Sequence, residues 1–127
     1  MTSRHRILVC DDDPLLIQLV EFRLKAKDFQ VETAADGEEA LAKIRDNPPD
    51  LVVLDAMMPG IDGFELLVRI KEDEQLSGIP VVMLTARKGE KDIVSAIERG
   101  AADYLVKPFI PDELLARIQR ILASAGG

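Results

Sequence analysis

The sequence is poor in cysteine, in basic charge and in long apolar runs, and each shortage removes a class of protein. Its 127 residues hold one cysteine, Cys10, which cannot close an internal disulfide. Its place inside Ile7-Leu8-Val9-Cys10 reads as a buried small hydrophobe in a reducing compartment. Lysine and arginine number 16 against 23 aspartates and glutamates, a net charge of −7, and the pI is near 4.7. Proteins that bind nucleic acid directly carry a basic stripe that displaces counterions, and none is present. No apolar run approaches the ~20 residues needed to cross a bilayer. The start Met1-Thr2-Ser3-Arg4-His5-Arg6 leads into no signal-peptide pattern. A cytoplasmic protein with no membrane contact is expected. There is no internal repeat and no low-complexity segment. Residues 123–127 read as a frayed tail or a cut linker, so one domain is expected over 1–127 with its core at about 6–122. A chain of this length closes to a radius of gyration of roughly 14 Å and buries about two-thirds of its unfolded surface.

What is present alternates between two periods. Apolar or β-branched runs at Ile7–Cys10, Phe29–Ala34, Leu51–Leu54, Pro80–Leu84 and Tyr104–Val106 read as strands. Between them lie helical spacings: Leu41/Ile44, Leu66/Leu67/Ile70, Ile93/Val94/Ile97, and a final Leu114/Leu115/Ile118/Ile121/Leu122. Asp13-Pro14 places a capping carboxylate before a proline at the first helical position. Asp36 is a second candidate cap, and Asp62 with Glu65 three residues on has the form of a capping box. Gly78 and Gly100 read as helix stops. Five βα units in succession demand parallel strands joined by right-handed crossovers, with helices on both faces. The first, third and fourth strands are almost wholly apolar and belong in the centre. The second carries Glu32 and Thr33, the fifth Asp103 and Tyr104, and both belong at edges. The expectation is a doubly wound (βα)5, flavodoxin-like α/β fold with a five-stranded parallel sheet of order 2-1-3-4-5.

Ligands of such sheets bind outside the carboxyl ends of the strands, where strand order reverses. There the first strand ends in Asp11-Asp12-Asp13, the third in Asp55, the fourth in Thr85 and the fifth in Lys107. Two carboxylates ~4 Å apart repel by on the order of 4 kcal/mol at an effective dielectric of 20. One lysine cannot neutralise several acids, so either protons stay on or a hard divalent cation sits among the oxygens. With a cation on Asp11 and Asp12, Asp55 becomes a carboxylate able to attack phosphorus, and Thr85 and Lys107 stand where phosphoryl oxygens would be. Each residue alone has a plainer role: Asp13 and Asp62 as caps, Thr85 as a strand residue, Lys107 as a solvated end. The joint placement at four strand ends favours the chemical reading.

These residues carry a resemblance. Ile7-Leu8-Val9-Cys10-Asp11-Asp12-Asp13-Pro14, Leu54-Asp55-Ala56-Met57-Met58-Pro59-Gly60-Ile61-Asp62-Gly63, Met83-Leu84-Thr85-Ala86 and Gly100-Ala101-Ala102-Asp103-Tyr104-Leu105-Val106-Lys107-Pro108-Phe109 together resemble the receiver domain of two-component response regulators, over Arg6 to about Leu122. The resemblance implies that Asp55 is the phosphoacceptor, supplied by a histidine kinase, a phosphotransfer protein or a small phosphodonor. It implies Mg²⁺ as cofactor, on Asp11, Asp12, Asp55 and the backbone carbonyl of Met57. It casts Thr85 and Lys107 as the hydroxyl and lysine that meet the phosphoryl group, Lys107-Pro108 as a cis peptide, and Thr85 with Tyr104 as the switch. The chain would catalyse only its own phosphorylation and dephosphorylation. Its output would pass to an effector protein or to a missing C-terminal output domain.

One departure bears on partners. In the subfamily joined to winged-helix DNA-binding domains the signalling face dimerises through charge pairs, and Asp103, Glu113 and Arg117 fall at matching positions. Ile93 stands where a basic partner for Glu113 is expected. A phosphorylation-dependent homodimer through the fourth helix, fifth strand and fifth helix is thus weakened, and Ile93 is either a binding contact or an isolated surface hydrophobe. Met57 and Arg87, two residues beyond Asp55 and Thr85, flank the route of attacking water. An aspartate-nucleophile phosphatase would want Asp-x-Asp where Asp55-Ala56-Met57 stands. A flavodoxin-like redox carrier would want a glycine- or hydroxyl-rich loop where three aspartates stand. A receiver-like interaction module that is never phosphorylated is the remaining alternative.

Overall fold

Side chains that alternate across a strand must find cover on two sides, and the helices supply it. A computed structural model describes residues 5–86 and 90–125. It contains β1 (Arg6–Cys10), α1 (Pro14–Lys25), β2 (Gln30–Ala34), α2 (Gly37–Asp46), β3 (Leu51–Asp55), α3 (Gly63–Glu72), β4 (Val81–Thr85), α4 (Glu90–Glu98), β5 (Asp103–Val106) and α5 (Pro111–Ala125). The strands form one sheet of order β2-β1-β3-β4-β5, and every neighbouring pair is parallel. Fold class and strand order are as expected. The edges are as well: β3 and β4 are buried throughout, whereas β2 is exposed or half-buried at all but its last residue.

The period-2 pattern divides the core. Ile7, Val9, Leu51, Val53, Val82, Leu84 and Leu105 face Val20 and Leu24 of α1 and Leu114, Ile118 and Leu122 of α5. Leu8, Cys10, Val52, Leu54, Val81 and Met83 face Leu41 and Ile44 of α2, Leu66 and Ile70 of α3, and Ala96 of α4. Cys10 is wholly buried, and burial pushes its thiol pKa up, so it behaves as the inert hydrophobe expected.

The caps form, with one redistribution. Asp13 accepts the amides of Leu15 and Leu16 at 3.0 and 3.4 Å, Asp36 that of Glu39 at 2.8 Å and Asp62 that of Glu65 at 2.8 Å. At α2 the carboxylate of Glu39 reaches back past the cap residue Asp36 and accepts the Ala35 amide at 2.9 Å. At α3 the carboxylate of Glu65 pairs with Arg69 one turn on, at 2.8 Å, in place of reaching back. Among the stops, Gly100 has φ +105° and closes α4 with bonds from the Gly100 amide to Ile97 O and from the Ala101 amide to Ala96 O. That pair of bonds is the Schellman pattern, which needs a residue at ease in the left-handed region. Gly78 does not end α3: the helix stops at Glu72, and turns closed on Asp73 and Leu76 carry the chain to β4.

Two further expectations change. Ala123–Ala125 belong to α5, because the apolar stripe that ends in Leu122 carries the helix one turn further; Gly126 and Gly127 lie outside the described residues. In α4 the inward stripe is Ile93 and Ala96, while Val94 and Ile97 are about half exposed. Residues 93 and 96 share a face, and 94 and 97 are rotated about 100° away from it.

Gly63 joins the fold to the rim described below. A Cβ there would lie 2.2 Å from Asp55 O and 2.7 Å from Ala56 Cα, both backbone atoms that cannot give way. Gly63→Ala should therefore lower the urea midpoint by an amount equivalent to about 1–3 kcal/mol, and an unchanged midpoint would show that α3 does not rest on the end of β3.

Candidate functional site

The sheet register sets the site. Cys10 pairs with Leu54, Asp55 with Leu84 and Thr85 with Val106. The next step along each strand brings Asp11 level with Asp55, and Lys107 just past Thr85. The strands run one residue further than their apolar runs, so Asp55 and Thr85 are the last residues of β3 and β4. Asp11 and Thr85 are fully buried and Asp55 is 4% exposed, while Asp12 is exposed.

Lys107 reaches into this rim. Its Nζ lies 2.9 Å from Asp11 Oδ2 and 3.5 Å from Asp55 Oδ1. Its backbone amide donates to Thr85 O at 2.7 Å, and the bond to Pro108 is cis. Asp11 is held at its other oxygen too, Oδ1 accepting the Asp13 amide at 2.9 Å. Asp55 Oδ1 accepts the Met57 amide at 3.3 Å, and the Met57 side chain is about half exposed.

The electrostatics follow from burial. Asp55 is pushed up from 3.8 to about 6, first by desolvation and then by the charge of Asp11, against the pull of Lys107 and the Met57 amide. Burial draws Lys107 down, but its hydrogen bond to Asp11 and the charges of Asp55 and Asp11 outweigh that and hold it above its ordinary value. One carboxylate oxygen from each of Asp11, Asp12 and Asp55 lies within 4.8 Å of the others. Hard oxygen donors crowded around a single ammonium suit a small divalent cation such as Mg²⁺, which takes one or two carboxylates and retains water.

Of the residues singled out from the sequence, Asp11, Asp12, Asp55, Thr85 and Lys107 meet at this rim, with Met57 beside it. Tyr104 is apart, buried in the layer under α4 with Ala96. Ile93 packs partly buried against that layer, so it is neither an isolated surface hydrophobe nor a freely exposed contact. Arg117 holds Asp103 through Nη1 at 2.8 and 2.9 Å, and Glu113 at 3.5 Å, within the same chain. Arg87 lies outside the described residues. Asp13 has more than its capping role: its amide orients Asp11, and its side chain lines a cleft with Leu16 and Phe109. A carboxylate in an Asx turn one residue past Asp12 is the only signal the sequence offers for it.

The chain belongs to the response regulator receiver domain family, whose model matches residues 7–119. It is 44% identical over 118 residues to the DNA-binding response regulator MtrA of Mycolicibacterium smegmatis, an alignment covering 93% of this chain and 50% of that one. It is 43% identical over 117 residues to the alkaline phosphatase synthesis transcriptional regulatory protein PhoP of Bacillus subtilis, covering 92% of this chain and 48% of that one. Among solved structures it resembles the chemotaxis response regulator CheY4 of Vibrio cholerae, with a TM-score of 0.88 and 35% identity, covering 94% of this chain and 99% of that one. The chain spans about half the length of the curated relatives it matches.

The raised pKa of Asp55 has a stability consequence. The folded state binds this proton more tightly than the unfolded chain, so the ionised carboxylate begins to cost stability as pH rises above 3.8, and the cost is complete above about 6. In a metal chelator, Asp55→Asn should melt higher than the wild type at pH 7, and the difference should vanish by pH 4 in calorimetry. An equal offset at both pH values would contradict the assigned cause.

Proposed function

We propose that Asp55 accepts a phosphoryl group from a histidine kinase, a phosphotransfer protein or a small phosphodonor, in a Mg²⁺-dependent transfer that makes the chain a two-component signalling switch. The observation that carries this reading is the buried Asp55 carboxylate at the end of a central strand, 3.5 Å from the Lys107 ammonium and grouped with Asp11 and Asp12. Asp11, Asp12, Asp55 and the Met57 carbonyl would hold the cation, which when bound offsets carboxylate repulsion and draws charge from the phosphoryl oxygens.

The chain's own residues do the rest. Asp55 attacks in line through a loose transition state, so positioning and charge stabilisation supply most of the rate. Lys107, already shared between Asp11 and Asp55, follows the charge onto the phosphoryl oxygens. The Thr85 hydroxyl donates to the same group, drawing the start of the β4–α4 connection toward it. Tyr104 and the α4–β5–α5 face respond as a shift of population between two arrangements. That face is read by an effector protein or by an output domain beyond this segment, and a homodimer through it would need Arg117 to exchange Asp103 for a partner. The catalysis is confined to the chain's own phosphorylation and dephosphorylation, and the setting is the cytoplasm.

Intact mass measurement after incubation with Mg²⁺ and acetyl phosphate tests this. The wild type should gain one phosphoryl group, Asp55→Asn should gain none, and EDTA should abolish the gain. Equal gain in both proteins overturns the assignment, and no gain in either leaves a receiver-like interaction module. The apolar Met57 side chain should slow attack by water. Hydrolysis should therefore be faster in Met57→Asn than in the wild type, and the reverse order would contradict that role.

A further inference from the structure

A cleft of about 390 Å³ opens beside the phosphorylation site, lined by Asp13, Leu16, Ala86, Lys107, Pro108 and Phe109. Lys107 belongs to both, so whatever delivers a phosphoryl group past Lys107 has this cleft within reach. Leu16, Ala86, Pro108 and Phe109 are apolar, and among the described residues Asp13 is the one anionic side chain on the wall. Asp13 Oδ1 is committed to the Leu15 and Leu16 amides as the α1 cap. Its Oδ2 has no partner among the described residues, and the side chain is exposed to the cleft mouth. With the Lys107 ammonium on one side for the phosphoryl oxygens and the Asp13 carboxylate on the other, the wall suits a flat, partly apolar ring that can donate a hydrogen bond, and an anionic group set against Asp13 meets a like charge.

We propose that Asp13 is a specificity-determining residue that selects phosphodonors by their leaving group, favouring an imidazole over a carboxylate. This rests on the phosphorylation reading above. With a phosphoimidazole donor, the bond between phosphorus and an Asp55 oxygen forms as the P–N bond breaks. The electron pair stays on the ring nitrogen, and the proton carried by the other ring nitrogen makes the product neutral imidazole, whose N–H can donate to Asp13. With acetyl phosphate the bond from phosphorus to the acyl-side oxygen breaks and the pair leaves as acetate, an anion formed against the Asp13 carboxylate. The same chemistry would apply to a phosphohistidine on a partner protein. Leu15 and Ile110, each next in sequence to a lining residue, are exposed apolar side chains.

The test compares initial phosphorylation rates by intact mass with monophosphoimidazole and with acetyl phosphate, at one pH and saturating Mg²⁺. Asp13→Asn and Asp13→Ser both keep a capping oxygen, so α1 is retained. In both, the ratio of the imidazole rate to the acetyl rate should fall by roughly fivefold or more, since one charge at contact range is removed. A change of both rates by the same factor would mean that Asp13 acts only through the position of Asp11, and would overturn the proposal. So would an equal fall of the ratio in Glu38→Gln, an exposed acid of a separate cleft with Pro59 and Gly60, because that would trace the preference to overall charge. No mass gain in the wild type with either donor would overturn the phosphorylation reading itself.

Discussion

Everything at the rim depends on one ammonium placed between two buried carboxylates. Lys107 touches Asp11 at 2.9 Å and approaches Asp55 at 3.5 Å, and neither acid has enough water around it to bear its charge alone. A buried charge that loses its partner is strongly destabilising, whereas a satisfied pair contributes little net stability. The triad is therefore a constraint the fold must accommodate more than a bond that holds it together. Lys107 lies nearer to Asp11, and Asp55, desolvated by burial and then facing the charge of Asp11, is pushed up to about 6.

The scaffold meets that constraint by rigidity. Two apolar layers clamp the sheet, and the register of β1, β3, β4 and β5 sets Asp11, Asp55, Thr85 and Lys107 at one rim. Asp11 is fixed at both oxygens, by Lys107 and by the Asp13 amide. The floor beneath Asp55 is set by Gly63, which brings α3 against the backbone of Asp55 and Ala56 and donates its amide to Ala56 O at 2.9 Å. At the other end of the sheet α4 is anchored by the turn at Gly100 and by Arg99 stacked over Phe64 at 5.2 Å. The C-terminal end of α4 is thus fastened to α3, whereas its N-terminal end is joined to the strand that bears Thr85.

Strand order and the convergence of Asp11, Asp55, Thr85 and Lys107 were legible in the sequence because both follow from rules of period and topology. Continuous apolar runs flanked by helices admit few sheets, and a parallel sheet sends all its strand ends to one side. What was not legible depends on contacts between elements. Val94 and Ile97 look as core-directed as Ile93 until the angle of α4 against the sheet is known. Gly78 looks like a helix stop, yet Asp73 and the following turns end α3 earlier. Glu65 has the spacing of a capping box, but Arg69 one turn on competes for its carboxylate. Asp13 reads as a cap and is one, and only the fold shows that the same residue orients Asp11 and lines a cleft.

The central claim is that the acidic rim is built for a divalent cation that relieves the repulsion Lys107 cannot. Thermal melting across a Mg²⁺ titration tests it most directly, because a ligand that binds only the folded state raises stability with the logarithm of its excess over Kd. Mg²⁺ should raise the melting temperature of the wild type in that manner, and Asp11→Asn and Asp12→Asn should lose most of the rise. A wild type insensitive to Mg²⁺, or variants that respond as fully as the wild type, would contradict it.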